Sequence, residues 1–322
     1  RSSDPNHAPI SMDPRSCPAC SLNAKRKPSP KVAAAPTNYT HFGQRITSDT
    51  CGPFPESPHG YTHAINFYDC YSSHSVVYFL KNLDSANVLL AAKTFMSEHK
   101  HLLTNTSLAG VVDQWHTDNA GGFMSADVDT FCAELGTRRS FSVPHVHERN
   151  TYSERVWGIL LRPMRTMLAH AGNDSVFHSL WPFAMKQACH IHNRLPSRAL
   201  DPPVSPHEQL HGEAPKLDEF RVMFCDCDVP LHDDEKPSKL SSPRVKAVYL
   251  GFDERRNGHH VYIPELDRIT THLDVNFDEQ ELDFKVAKEM RRISVERGDK
   301  VSRAARVHAA MRLPILAREQ PP

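Results

Sequence analysis

Three acidic residues in this sequence are spaced so that they could share divalent cations. Asp49 ends an extended run (QRITSD), Asp118 ends a second (GVVDQWHTD), and Glu154 sits in a helical pattern with 35 residues between it and Asp118. Hard cations want oxygen ligands, and Mg²⁺ held by a few carboxylates keeps positions open for water and phosphate oxygens. Two such ions, Mg²⁺ or Mn²⁺, about 4 Å apart can activate an attacking oxygen and stabilise a leaving one during in-line displacement at phosphorus. The competing account is that these are three ordinary surface acids among 38.

Other residues offer weaker chemistry. Cys17 and Cys20 form C-P-A-C, half of a tetrahedral zinc site or a pair that is structural or incidental. Cys225 and Cys227, one residue apart on an expected strand, are read as packing residues. Lys25, Arg26, Lys27 and Lys31, and the stretch from Lys285 with ten Lys/Arg against four Asp/Glu, offer phosphate contacts or simply solvated charge. His145 and His147 precede Glu154 in a polar loop.

The elements that must position these groups follow from periodicity. The segment from about Ser21 to Asn38, which closes the span 1–38, reads as a linker rich in Pro, Ala and Lys. QRITSD, YTHAINFYD and HSVVYFL then predict three antiparallel strands. A helix from Leu83 to about Leu102 puts Val88, Ala92, Phe95 and Met96 on one face, and GVVDQWH gives a buried strand ending at Asp118. Ser125 can cap a helix burying Val128, Phe131, Cys132 and Leu135, and RSFSV supplies another strand. The helix carrying Glu154 has the stripe Val156, Leu160, Met164, Met167 and Leu168, and Pro163 predicts a kink in it. A further helix spans about Phe177 to Asn193. From Asp218 to Glu279, four runs (RVMFCDCDV, RVKAVYLGF, HHVYIPE, RITTHLDVNF) predict a small β-barrel, and 281–322 is a basic tail.

Composition excludes some classes. No apolar run approaches the roughly 20 residues that span a bilayer. Eight scattered cysteines argue against a disulfide framework and for a reducing compartment. Acids and bases balance at 38 each, so the chain is not a globally basic nucleic-acid binder, although its 21 histidines can add positive charge near phosphates. Opening at Arg1 rather than Met suggests a fragment.

The blocks around the three acids, ITSDTCGPF, QWHTDNAGGF and SERVWGILLRPMRTML, resemble the active-site blocks of copia-type retrotransposon integrases. HNRLPSRAL, SPHEQLHGEAPKLDEFRVMFC, VKAVYLGFDE and RITTHLDVNFDE resemble the stretches that follow that core, so the similarity covers roughly Cys17 to Glu279. The resemblance implies a polyprotein fragment: the end of a zinc module, an α/β ribonuclease H-like catalytic core over 39–213 with a mixed five-stranded sheet flanked by helices, and an SH3-like β module over 218–280. It also implies DNA strand transfer with Asp49, Asp118 and Glu154 as Mg²⁺ or Mn²⁺ ligands, and DNA contacts from Asn119, Asn150 and Arg155. The partners implied are double-stranded DNA, both cDNA ends and target, and further copies of the chain; the compartment is the nucleus, after a cytoplasmic particle stage. Zn²⁺ enters only with ligands upstream of Cys17 and Cys20.

Several positions depart from the family pattern. Asn119, Ala120, Gly121, Gly122 and Phe123 stand where Asn-Gly-Gly-Glu-Phe is usual, and Thr151 replaces a hinge glycine. Trp157 and Gly158 replace an Asn and a basic residue at positions that face DNA in the family. Three readings stay open: an active polynucleotidyl transferase, a decayed fragment with a nucleic-acid-binding or interaction role, and a free-standing nuclease of the same fold.

Overall fold

The computed structural model describes residues 39–142, 151–172, 175–231, 238 and 240–279, with residues 151–154 and 175–176 described only as helical backbone. Three antiparallel strands come first, β1 (Ile46–Cys51), β2 (His63–Asp69) and β3 (Ser75–Leu80). Helix α1 (Ser85–His99) follows, shorter than the predicted run because Lys100–Leu102 tightens into a 3₁₀ turn. Next come β4 (Gln114–Thr117), α2 (Ala126–Leu135), β5 (Arg138–Phe141) and α3 (Thr151–Ala171). The predicted helix over Phe177 to Asn193 is two, α4 (Ser175–Ser179) and α5 (Trp181–Arg194), with Pro182 in the first turn of the second, where a missing N–H costs nothing. Helix α6 (Pro206–His211) closes this part.

The first sheet has the order β3-β2-β1-β4-β5, with β4 parallel to both β1 and β5. Three antiparallel strands extended by two parallel ones make the ribonuclease H-like arrangement that the resemblance implies. Local chemistry sets the turns. Asp69 accepts from Gly43 N at 3.0 Å and from Ser72 N and Oγ at 2.7 Å, which ties the β2–β3 turn to the approach of β1. Asp84 caps α1 through Asn87 N at 2.8 Å, and Ser125 caps α2 through Val128 N at 3.3 Å.

Helices cover both faces. On one, Val88, Ala92, Phe95 and Met96 of α1 and Val128 and Cys132 of α2 pack with Ile46, Phe67 and Trp115, the Phe67 and Phe95 rings stacking at 4.7 Å. On the other, Val156, Trp157, Leu160, Met164 and Leu168 of α3 pack with Trp181, Ala184 and Ala188 of α5 over Ala64, Tyr68 and Phe79. Burying side chains of this size contributes roughly 1.5–3 kcal/mol each. Pro163 lies inside α3 without ending it, since a proline near the middle of a 21-residue helix leaves enough ladder on either side.

The second sheet runs β10-β6-β7-β8-β9, all pairs antiparallel. Its strands are β6 (Asp226–Pro230), β7 (Arg244–Asp253), β8 (Gly258–Ile263), β9 (Arg268–His272) and β10 (Asn276–Asp278). The fourth predicted run therefore supplies two strands, one on each edge of the sheet. Four Cα steps between His272 and Asn276 reach roughly 14 Å at full extension, whereas edges four strand spacings apart in a flat sheet stand roughly 19 Å from one another. The sheet must curl, as the barrel expectation requires. Cys225, Cys227, Val229, Ala247, Tyr249 and Val261 fill its interior, so the cysteine pair packs as predicted. Val248, Leu250 and Ile269 join the α3–α5 side of the first core, which joins the two sheets through a shared apolar layer.

The six cysteines among the described residues are free thiols. No described helix is long and apolar enough to cross a membrane.

Candidate active site

The parallel pairing of β1 with β4 bears on two of the three acids. Ile46 stands opposite Trp115 and Thr47 opposite His116. Extended two residues beyond the paired ones, that register would set Asp49 beside Asp118, at the roughly 4.8 Å spacing of neighbouring strands. Paired residues of parallel strands share a face. Ile46, Ser48 and Trp115 turn to the α1 side, where Trp115 Nε1 donates to Ser48 Oγ at 2.8 Å and locks the register. Thr47, Asp49 and Cys51 alternate to the opposite face, as His116 and Asp118 do on β4.

That opposite face is the one α3 covers. Cys51 packs against the cluster that holds Val156, Trp157 and Leu160. Burial first and the charge of Asp49 second push the Cys51 thiol up, while Arg165 of α3 pulls it down. The first turn of α3 carries Glu154, so the backbone places the third acid on the helix lying over the two aspartates. The side chain of Glu154, and all of Asn150, Cys17, Cys20, His145, His147 and Thr151's side chain, lie outside the described residues, as do residues 1–38 and 281–322.

Both aspartates are half-buried and held by their own turns. Asp49 Oδ1 accepts from Thr50 N at 2.7 Å, and Asp118 Oδ1 from Ala120 N at 3.1 Å. Each carboxylate is thus fixed by a backbone N–H, which suits a cation-binding role in which oxygens must be aimed beforehand. Among the described residues no group of three or more His, Cys, Asp or Glu converges to hold a metal. Two aspartates with a third carboxylate on α3 are the donor set that a hard cation takes, so the residues fit Mg²⁺.

The turn after Asp118 takes its altered sequence without strain at Ala120. Ala120 is not among the described residues with positive φ, so an alanine sits there without strain. Gly122 has no such freedom, because a Cβ on it would stand 2.8 Å from the Leu83 carbonyl oxygen. Phe123, fully buried, meets Trp115 edge-on at 6.1 Å and anchors the end of the turn. Asn119 is exposed and donates through Nδ2 to Ser142 O at 3.3 Å, and Arg155 is exposed one residue after Glu154.

Trp157 corrects the sequence reading. Its indole is 6% exposed and packs in the α3–α5 core, so it does not face a ligand. Gly158 does face outward, with nothing within 4 Å of a Cβ built on it. The residue after a buried one on a helix turns about 100° toward solvent, and the resemblance alone had put both on one surface.

Sequence reasoning missed a polar row beside the acids. His116 Nδ1 is 2.9 Å from Ser140 Oγ, its Nε2 is 3.2 Å from Ser142 Oγ, and Gln114 Nε2 donates to Ser140 Oγ at 2.9 Å. Period-2 alternation puts Gln114, His116 and Asp118 on one face of β4, a signal legible in QWHTD.

Several known proteins are similar to parts of this chain. The family model described as the retroviral polymerase SH3-like domain matches residues 225–290. The retrovirus-related Pol polyprotein from transposon TNT 1-94 of Nicotiana tabacum is 25% identical over 238 residues, covering 74% of this chain. The corresponding polyprotein from transposon RE1 of Arabidopsis thaliana is 27% identical over 264 residues, or 82% of this chain. The chain spans 17% of the length of each. Among solved structures, the HTLV-2 integrase catalytic core domain in complex with magnesium aligns over 52% of this chain and 97% of its own, at 17% identity and TM-score 0.39. The simian T-cell lymphotropic virus intasome in complex with a PP2A regulatory subunit aligns over 82% of this chain and 85% of its own, at 15% identity and TM-score 0.44. At such scores the fold assignment stands on the strand order and pairing described above.

Proposed function

We propose, for a chain that belongs with the copia-type retrotransposon polyproteins, that its work is that of an integrase: metal-dependent joining of cDNA ends to target DNA. The observation that supports this reading is the parallel pairing of β1 with β4, whose register, extended past Thr117, would bring Asp49 and Asp118 together on the face covered by the helix whose first turn holds Glu154. Asp49, Asp118 and Glu154 would hold two Mg²⁺ or Mn²⁺ ions. Such ions, when bound, activate a 3′ hydroxyl and stabilise the oxygen that leaves phosphorus.

The remaining work falls to the chain's own residues. Asp49 and Asp118 present oxygens already fixed by Thr50 N and Ala120 N, so little is lost in ordering them. Arg155, exposed beside Glu154, and Asn119, exposed in the Asp118 turn, would meet phosphate and sugar oxygens, and Asn150 is assigned the same role. Double-stranded DNA is the substrate and further copies of the chain its partners. The SH3-like sheet, in which no set of acids converges among the described residues, serves protein or DNA contact.

The unstrained Ala120 and the buried Trp157 remove two of the reasons for reading the chain as decayed, which favours the enzymatic account over the inactive one. The test is joining of a labelled blunt DNA oligonucleotide to plasmid by the purified chain with Mg²⁺ or Mn²⁺. Joined product that disappears in Glu154→Gln supports the enzyme. No product above that of Glu154→Gln assigns the chain to a binding role alone.

A further inference from the structure

A cleft of about 520 Å³ lies between the two sheets, walled by β3, α1, α5 and α6 on one side and by β7 and β8 on the other. Two acids cross it. Glu254, just after β7, meets His190 Nδ1 at 3.0 Å and Arg194 Nη2 at 2.9 Å, both on α5. Arg255 pairs with Glu98 of α1, which also accepts from Tyr78 OH at 2.9 Å. These acids and arginines match one another.

Lys186 has no such match. It lines the same cleft from α5, and among the described residues it makes no hydrogen bond or ion pair. The carboxylates that act on it are engaged elsewhere: Glu254 as above, and Asp253 with Arg255 N at 3.2 Å, His260 at 3.6 Å and Arg256 at 4.0 Å. Burial pushes the Lys186 ammonium below its ordinary value. Lys186 is half-buried, and a partly desolvated ammonium with no carboxylate in direct contact among the described residues favours an anion that reaches it through the cleft.

We propose that this cleft is a phosphate-binding site with Lys186 as its charge partner. Donors approach from three sides: Lys186 on α5, the His207 and His211 rings 4.5 Å apart on α6, and His260 on β8. A tetrahedral group with several oxygens takes donors from three directions, whereas a flat carboxylate takes them in one plane. Of the two carboxylates that act on Lys186, Glu254 is engaged by His190 and Arg194, and Asp253 accepts from Arg255 N and stands 4.0 Å from Arg256. Burial and the neighbouring charges of His211 and Arg194 hold His207 below its ordinary value, so a bound phosphate would recruit a proton there as well. The phosphate belongs to a free ion or to a nucleic-acid backbone.

Calorimetric titration of the full chain with inorganic phosphate, in phosphate-free buffer, tests the site. Saturable binding is expected, weakened at least about tenfold in Lys186→Met through loss of a charge-assisted bond and retained in Lys186→Arg. Without phosphate, Lys186→Met should unfold at higher urea than the parent, a gain that a lysine with a merely structural role would not give. Asp118→Asn should leave phosphate affinity unchanged, which separates this site from the proposed active site. Where phosphate competes with a blunt DNA duplex and Lys186→Met weakens duplex binding, the backbone is the source; where the duplex is indifferent to both, the free ion is. No saturable binding, or parental affinity in Lys186→Met, overturns the proposal.

Discussion

The indole of Trp115 donates to Ser48 Oγ at 2.8 Å, a bond between β4 and β1 made one residue before Asp49 and three before Asp118. It is buried and lies in the β1–β4 register that, extended two residues, would bring the two aspartates together. Ser48→Ala should leave the indole N–H without an acceptor and cost about 1–3 kcal/mol, read as a lower urea midpoint. An unchanged midpoint would show that the bond does not hold the register.

The two altered positions on α3 should behave oppositely. Trp157→Asn removes a core side chain and buries an amide, so a loss of about 3–5 kcal/mol is expected by analogy with large-to-small core changes. Gly158→Arg enters open space and replaces a poor helix former, so it should be neutral or stabilising by up to about 1 kcal/mol. In the integrase reading it should also steepen the salt dependence of DNA binding, because a phosphate-facing cation is added. Thermal unfolding and DNA titrations at several salt concentrations check both.

A similar contrast applies to the turn after Asp118. Gly122→Ala drives a methyl to 2.8 Å from the Leu83 carbonyl oxygen and 3.0 Å from Val88 Cγ2, and should cost about 1–3 kcal/mol. Ala120→Gly should cost no more than about 1 kcal/mol, from backbone entropy alone. Equal losses at the two positions would contradict the account of how Asp118 is held.

Much of this was legible from residue spacing. The strands bearing Asp49 and Asp118, the Ser125 cap and the stripes of α1 and α3 follow from periods of 2 and 3.6, which depend on local geometry alone. The register between those two strands was not legible, because it depends on β1 and β4 pairing in parallel across more than 60 intervening residues. Trp157 was misread for a related reason: helical phase, not identity with a family position, decides which side chain meets the core. The Lys186 cleft was equally hidden, since its walls come from β3, α1, α5, α6, β7 and β8.

Acid should weaken the fold through buried histidines. Burial lowers the His59 ring from 6.5 to about 4, and neither ring nitrogen has a hydrogen-bond partner among the described residues. The folded state thus favours neutral His59, while the unfolded chain takes a proton once pH falls below 6.5; stability present above that pH is lost as pH falls toward 4. His59 stacks on Tyr61 at 5.8 Å, so His59→Phe keeps the ring contact and removes the titration. The gain of the variant over the parent in urea midpoint should be larger at about pH 5 than at about pH 7. A gain independent of pH would refute this.

The central claim is that Asp49, Asp118 and Glu154 form one metal site, and Mn²⁺ binding followed by electron paramagnetic resonance tests it without requiring activity. The parent chain should bind Mn²⁺, and Asp49→Asn, Asp118→Asn and Glu154→Gln should each weaken that binding by at least about tenfold, because each removes a charged oxygen ligand from a shared pair of ions. Parental Mn²⁺ affinity in any one of the three folded variants would contradict it.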